Sequence, residues 1–343
     1  MTGRERFPFG ASGGDVEREP ALGGRAVLSA SCLRARGAEG SGEGKEADNM
    51  GGEDGRARPA LPPGRFVDLP GRGTTFVREL AGPEGAPAVL LLHGWTATAD
   101  LNWHPAYRPL SKHFRVIALD HRGHGRGLRG RFRLEDCADD AAMLLEQLGV
   151  ERCLTVGYSM GGPIAQLLHR RRPELVSGLV LCATSAAFTA NTRDRLLCGL
   201  ASSGWLLART IPVQPLGAVA LGACRSWSTL VSGGWWGYEQ VVRHDWAQII
   251  EAGRQTLRFD SRPWLATTTV PTAVIATDND DLVPHARQLA LAAAIPGATL
   301  RVVGGGHTAC TEAPGLFVPA LLEACLEVTA RAAAAPSAVV AAA

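Results

Sequence analysis

Five short, predominantly apolar runs recur along this 343-residue chain: Ala88–Leu92, residues 116–119 followed by Asp120, Cys153–Tyr158, residues 179–182 and residues 273–276. Each is too short for a buried helix and does not alternate with polar residues, which is how a strand covered on both faces reads. Between the first four lie segments with apolar residues at helical spacing, at 103–114, 135–148 and 163–171. Strand and helix therefore alternate, and the expected class is α/β: a mostly parallel central sheet flanked by helices. Ahead of this pattern, residues 66–69 and 74–80 flank Pro70-Gly71-Arg72-Gly73 and predict an antiparallel hairpin. After it, the spacing predicts a helix over 284–294, a strand over Thr299–Val303 and a last helix within 315–326.

The alternation breaks after Thr184. Residues 187–262 carry apolar positions at helical spacing, among them Leu196, Leu200, Leu206, Trp246 and Ile249, with no evident strand, and predict a helical cap or lid inserted between two parts of the core, 59–186 and 263–330. This insertion holds Trp205, Trp227, Trp235, Trp236 and Trp246, which read either as packing for a small lid or as an apolar roof over a substrate. Gly233-Gly234 hints at a hinge. Residues 1–58 are rich in Gly, Arg, Glu and Ala without apolar periodicity, so they are expected to be disordered, as is the Ala-rich tail 331–343. Met50 opens the segment that runs into recognisable structure and is a candidate for the true start of translation.

A formal net charge of +2 over this length gives no basic field for nucleic acid and no acidic one for cationic partners. Eight scattered cysteines form no C-x-x-C pair or zinc-finger spacing, and read as reduced, mostly buried small hydrophobes. No stretch approaches the roughly 18 apolar residues of a membrane span, and residues 26–30 are too short for a signal-peptide core. The expected location is cytoplasmic.

The chemistry centres on Gly157-Tyr158-Ser159-Met160-Gly161-Gly162. A strand that turns sharply into a helix leaves one side chain on an exposed corner, and glycines around it let the two backbones pass. Gly10-Ala11-Ser12-Gly13-Gly14 matches the same pattern but has no strand before it and no amphipathic run after it. A serine hydroxyl is a poor nucleophile unless a neighbouring base takes its proton. His307, after the glycines 304–306 that follow the last strand, is the candidate base. A carboxylate must then orient the imidazole. Asp278, Asp280 and Asp281 compete for that role, and Asp280 is preferred because it lies four residues before Pro284, where the next helix is expected to start. The oxyanion donors are expected to be the backbone N–H groups of Met160 and of Trp95, which follows His93-Gly94 at another strand end. His93, and His121 with Arg122 and His124, read as structural groups bonded to nearby backbone in preference to a catalytic or metal-binding set. Asp120 reads as an element terminus.

Together, Leu92-His93-Gly94-Trp95, residues 120–125, residues 157–162, Asp280 through Pro284 and Gly306-His307 resemble the α/β-hydrolase fold superfamily, in its esterase-like serine hydrolase branch with a helical cap. The resemblance covers about residues 64–330. It implies cofactor-free and metal-free hydrolysis of an ester or related acyl bond through an acyl-serine, with Ser159, Asp280 and His307 as the triad. It also supports Asp280, since the family's acid commonly stands four residues before a proline. Gly127 departs from many relatives, which have serine there, and this is expected to alter loop packing only. The expected partner is a small to medium, apolar ester substrate, with no nucleic acid and no integral membrane segment. Alternatives are a C–C bond hydrolase, a cofactor-free perhydrolase or haloperoxidase-like enzyme, or a weakly catalytic ligand-binding protein on the same fold. Relatives that open epoxides or cleave haloalkanes carry aspartate at the elbow, where this chain has serine.

Overall fold

The computed structural model describes residues 58–189 and 234–334. Its eight strands are β1 (Gly64–Leu69), β2 (Gly73–Leu80), β3 (Ala88–Leu92), β4 (Arg115–Leu119), β5 (Cys153–Tyr158), β6 (Val176–Cys182), β7 (Thr272–Thr277) and β8 (Thr299–Val303). They form one sheet in the order β1-β2-β4-β3-β5-β6-β7-β8. The first hairpin pairs antiparallel, in the register Leu69 to Gly73, and every pair from β4 to β8 is parallel. The crossing helices are α1 (Ala99–Ser111), α2 (Leu134–Gln147) and α3 (Gly161–Arg171). After them come α4 (Gly234–Val241), α5 (Trp246–Arg258), α6 (His285–Ala294), the short α7 (Ala309–Glu312) and α8 (Pro314–Ala334).

The continuous apolar strands serve two cores by simple alternation. Leu90 and Leu92 of β3 point into the core under α2, α3 and α6, while Val89 and Leu91 point into the core under α1 and α8. Leu179 and Leu181 of β6 divide from Val180 and Cys182 in the same way. With helices on both faces, no strand in the centre of the sheet has a polar side, which is why the runs contain no alternating polar residues. The carboxyl ends of β3, β5, β7 and β8 all open onto one edge, and the loops leaving them carry the candidate site.

Two boundaries differ from the sequence expectation. Helix α1 starts at Ala99, because Thr98 in extended conformation accepts the Leu101 N–H at its side chain and caps the helix. Helix α8 runs through Ala334, past the expected limits of 326 for the helix and 330 for the core; its last turns are alanines, the best helix formers. Residues 1–57, which include Ser12 and Met50, and 335–343 lie outside the described residues. So does 190–233 of the expected insertion, with Trp205, Trp227 and Gly233. Its described part forms α4 and α5. Trp236 and Trp246 there are buried with Ala97, Leu101, Val241 and Ile249, the packing reading of the two. Cys137, Cys153, Cys182, Cys310 and Cys325 are free and buried, whereas Cys32, Cys198 and Cys224 lie outside the described residues. Among the described residues, no helix is long and apolar enough to cross a membrane.

Candidate active site

Strand β5 ends at Tyr158, and the next residue, Ser159, is driven to φ +50, in the left-handed region that side chains rarely tolerate. Three bonds hold it there. The Ser159 N–H donates to the Cys182 carbonyl at 2.9 Å, and the Ser159 carbonyl accepts from the Gly162 N–H at 2.9 Å and from Thr184 Oγ1 at 2.7 Å. The turn also depends on glycine at 161, where a Cβ would sit 2.1 Å from the Leu92 carbonyl oxygen. Ser159 is thereby presented at the mouth of the sheet edge, with the first turn of α3 directly behind it.

The loop after β8 carries His307 back over this corner. His307 Nε2 lies 2.8 Å from Ser159 Oγ, and Nδ1 lies 2.8 Å from Asp280 Oδ2. Asp280, at the end of β7, has four further donors: Thr277 Oγ1 at 2.8 Å, Gln288 Nε2 at 3.2 Å, and the Leu282 and Val283 N–H groups at 2.9 and 2.8 Å. Burial pushes the Asp280 carboxyl up, but His307 and the other donors outweigh it and hold the group below the usual carboxylate range. A serine, an imidazole and an ionised carboxylate thus stand in series. Asp278 is exposed and accepts the Gly305 N–H at 2.9 Å, while Asp281 is exposed; neither takes the place of Asp280 beside His307.

Met160 follows Ser159 as the N-cap of α3, where helix N–H groups and the helix dipole favour negative charge. Trp95 follows Gly94, so close to the elbow that a Cβ on Gly94 would lie 3.3 Å from Ser159 Cβ. The Gly94 N–H is fixed by Asn102 Oδ1 at 2.8 Å. Neither the Trp95 nor the Met160 backbone N–H has a protein acceptor among the described residues.

The sequence reading missed three side chains here. Tyr158, inside the glycine-serine motif, donates its hydroxyl to the His307 carbonyl at 2.7 Å and so ties the glycine-rich loop to β5. Asn102 on α1 orients the Gly94 peptide, and Cys310 lies beside it, 3.4 Å from Asn102 Nδ2. Only a helical position close after Leu92-His93-Gly94-Trp95 could have pointed to Asn102; the other two contacts depend on tertiary packing. In front of Ser159 lies a cavity of about 240 Å³, walled by Trp95, Leu101, Phe188, Leu257, Leu282 and Val283 together with Ser159 and His307. Among the described residues no lysine or arginine lines it.

Behind the Gly94–Thr96 loop four histidine rings are packed together. His93 donates from Nδ1 to the Gly94 carbonyl at 2.8 Å and accepts the His121 N–H at Nε2, 2.9 Å away, which is the expected structural role. His93 and His121 rings are 4.3 Å apart, His93 and His124 5.2 Å, and His124 and His244 5.4 Å. His244, from the link between α4 and α5, accepts the Gly125 N–H at Nδ1 and donates from Nε2 to the Thr96 carbonyl. Burial pushes all four imidazoles down, His121 to about 3 and His244 to about 4, so the rings are neutral. Among the described residues no cluster of His, Cys, Asp and Glu has the geometry to hold a metal ion. Asp120 closes the turn by accepting the Ala99 and Arg126 N–H groups at 2.9 Å, and a side chain on Gly127 would meet the His121 carbonyl at 2.2 Å.

The sequence model of the alpha/beta hydrolase fold matches residues 87–202. Among curated proteins, the RutD protein of Serratia proteamaculans, whose name assigns it carbamate hydrolysis, is 29% identical over 239 residues, 65% of this chain and 84% of that protein. RutD of Agrobacterium fabrum is 30% identical over 257 residues, 69% of this chain and 92% of that protein. Among solved structures, the enol-lactonase of Burkholderia xenovorans LB400 superposes with a TM-score of 0.63 at 23% identity, over 76% of this chain and 98% of that one, a likeness of fold.

Proposed function

Because the chain belongs to the α/β-hydrolase fold family, we propose that it is a serine hydrolase acting on an ester or related acyl bond of a small to medium, apolar substrate. The observation that carries this reading is the unbroken series Ser159 Oγ, His307, Asp280, each step 2.8 Å. In the reaction, Ser159 Oγ attacks the carbonyl carbon while its proton passes to His307 Nε2, and Asp280 stabilises the imidazolium from the Nδ1 side. The oxyanion is met by the Met160 and Trp95 N–H groups, each worth about 3 kcal/mol by analogy with the loss of one such donor in another hydrolase. Collapse expels the alcohol, which takes the proton from His307, and leaves an acyl-serine. Water then repeats the sequence, with His307 as base, and releases the acid. No cofactor enters this scheme.

The apolar walls favour a neutral acyl or alcohol group. The anion of a simple carbamate, suggested by the names of the RutD relatives, would find no cationic side chain there among the described residues. We read residues 187–262 as a cap whose α5 supplies Gly253, Thr256 and Leu257 to the pocket wall, and we place the protein in the cytoplasm. A series of p-nitrophenyl esters graded by acyl length, with a p-nitrophenyl carbamate beside them, assayed with the wild type and Ser159→Ala, tests the proposal. Turnover of short or medium chains that disappears in the variant is expected. Full activity in Ser159→Ala would reject the mechanism, and turnover restricted to carbamates would reject the substrate class.

A further inference from the structure

Trp95 carries one of the two proposed oxyanion donors on its backbone, while its side chain leaves the loop and docks on α5. The indole Nε1–H donates to the Ile249 carbonyl at 2.7 Å. Helix geometry assigns that same carbonyl to the N–H of Gly253, four residues on, so the indole lies against the backbone of the helix itself. Only glycine permits this approach. A Cβ at position 253 would sit 2.8 Å from Trp95 Cζ2 and 3.0 Å from Cε2, both inside van der Waals contact. Glycine is an unfavourable choice within a helix compared with alanine. The contact with the indole supplies a reason for it here.

The rest of the loop is pinned on both sides. Asn102 of α1 holds the Gly94 N–H, and His244, just before α5, donates to the carbonyl of Thr96, itself at φ +60. Gly94 is thus referred to the core, whereas the Trp95 side chain and the Thr96 carbonyl are referred to residues 244–253. The peptide between them carries the N–H assigned above to the oxyanion.

We propose that Gly253 is a positioning residue: by letting the Trp95 indole seat on α5 it sets where the Trp95 backbone N–H stands, so that α5 helps to shape the oxyanion site. The proposal rests on the reading of Ser159 as the nucleophile. A Cβ at 253 must displace the ring edge that also carries the hydrogen-bonded Nε1, and the movement is passed to the Trp95 peptide. A donor moved off the oxyanion weakens the transition state and leaves substrate binding almost unchanged.

The test is the hydrolysis of p-nitrophenyl butyrate by the wild type, Ser159→Ala, Gly253→Ala, Trp95→Phe and the double variant Trp95→Phe/Gly253→Ala, with melting temperatures for each. Complete removal of one oxyanion donor costs about 10²–10³-fold in kcat, so displacement in Gly253→Ala is expected to cost about 10- to 100-fold, with KM within about threefold. Its melting temperature should fall by no more than a few degrees, since the gain of about 1 kcal/mol from alanine in the helix offsets part of the cost of displacing the indole. Phenylalanine at 95 lacks the atoms that Cβ would strike, so in that background Gly253→Ala should change kcat by less than about twofold. Equal losses in both backgrounds would overturn the proposal, because the effect would not run through the indole. So would a Gly253→Ala enzyme with wild-type kcat. If Gly253→Ala does not fold, Trp95→Phe decides: it removes the seating without altering the helix, and an unchanged kcat would refute the idea. Activity retained in Ser159→Ala would instead remove the underlying reading, and the proposal with it.

Discussion

Acidification should destabilise this protein before its surface carboxylates are neutralised, because four imidazoles are buried in the neutral form. An imidazole in the unfolded chain titrates near 6.5, whereas His121 and His244 are pushed by burial to about 3 and about 4, and His93 and His124 well below their ordinary value. The unfolded state therefore binds protons that the native state refuses. Stability is fully present above about pH 6.5 and is lost as pH falls toward the depressed native values. From pH 7.5 to pH 5 the loss is about 2 kcal/mol each for His121 and His244, about 4 kcal/mol together, and His93 and His124 add to it in the same direction. Arg129 lies near His124 and His244 and further opposes their protonation. Asp120 acts in the opposite sense. Burial raises it to about 6, so acid favours its native form and returns about 1 kcal/mol over the same interval. For His121, His244 and Asp120 together the net loss is about 3 kcal/mol, a large part of the stability of an ordinary domain, about 5–15 kcal/mol.

Thermal melts at the two pH values and constant ionic strength measure this. At about 2–4 °C per kcal/mol for a domain of this size, the melting temperature should fall by at least about 6 °C. The contribution of one ring can be isolated at His121, whose two ring nitrogens have no hydrogen-bond partner among the described residues. His121→Phe should match the wild type at pH 7.5 and recover about 2 kcal/mol of the loss at pH 5. A melting temperature that is flat between the two pH values, or a variant as acid-sensitive as the wild type, would refute the account of the cluster.

Further outcomes follow from the site. Asp280→Asn should lower kcat by about 10³–10⁴-fold, since an amide cannot enforce the imidazole tautomer, whereas Asp278→Asn and Asp281→Asn should change it by less than about threefold; steady-state kinetics on one ester would rank all three, and a reversed order would move the acid. Tyr158→Phe removes the donor at 2.7 Å from the His307 carbonyl; kcat should fall about tenfold with little change in KM, as expected when a reacting group is held less well. Gly161→Ala places a Cβ 2.1 Å from the Leu92 carbonyl oxygen, so the elbow must open; denaturant melts should show a loss of about 2 kcal/mol or more, or no soluble folded protein.

Much of this architecture is legible in the sequence because it depends on local pattern. Short apolar runs announce strands covered on both faces, and the order of Ser159, Asp280 and His307 after β5, β7 and β8 follows from chain connectivity once those strands are placed. The Thr98 cap was also written in the sequence, but the start of α1 was expected at 103, where the helical spacing of apolar residues becomes evident. The extension of α8 to Ala334 was hidden by composition, since an alanine-rich tail reads equally as a frayed end or a good helix. What the sequence could not show is what depends on packing between distant segments. His244 joins His93, His121 and His124 only after residues 234–262 dock behind the Gly94–Thr96 loop. Gly253 looks like a defect in an amphipathic helix until Trp95 is seen against it. Tyr158 reads as a core aromatic, and only the returning loop reveals the bond to His307.

The claim on which the functional reading depends is that Ser159 is the nucleophile. It is tested most directly by treating the purified protein with a fluorophosphonate and mapping the adduct by peptide mass spectrometry alongside residual esterase activity. The account predicts a single adduct on the peptide containing Ser159, with activity lost in proportion to labelling and no adduct in Ser159→Ala or His307→Ala. Labelling elsewhere with activity abolished, or full activity after Ser159 is modified, would contradict it.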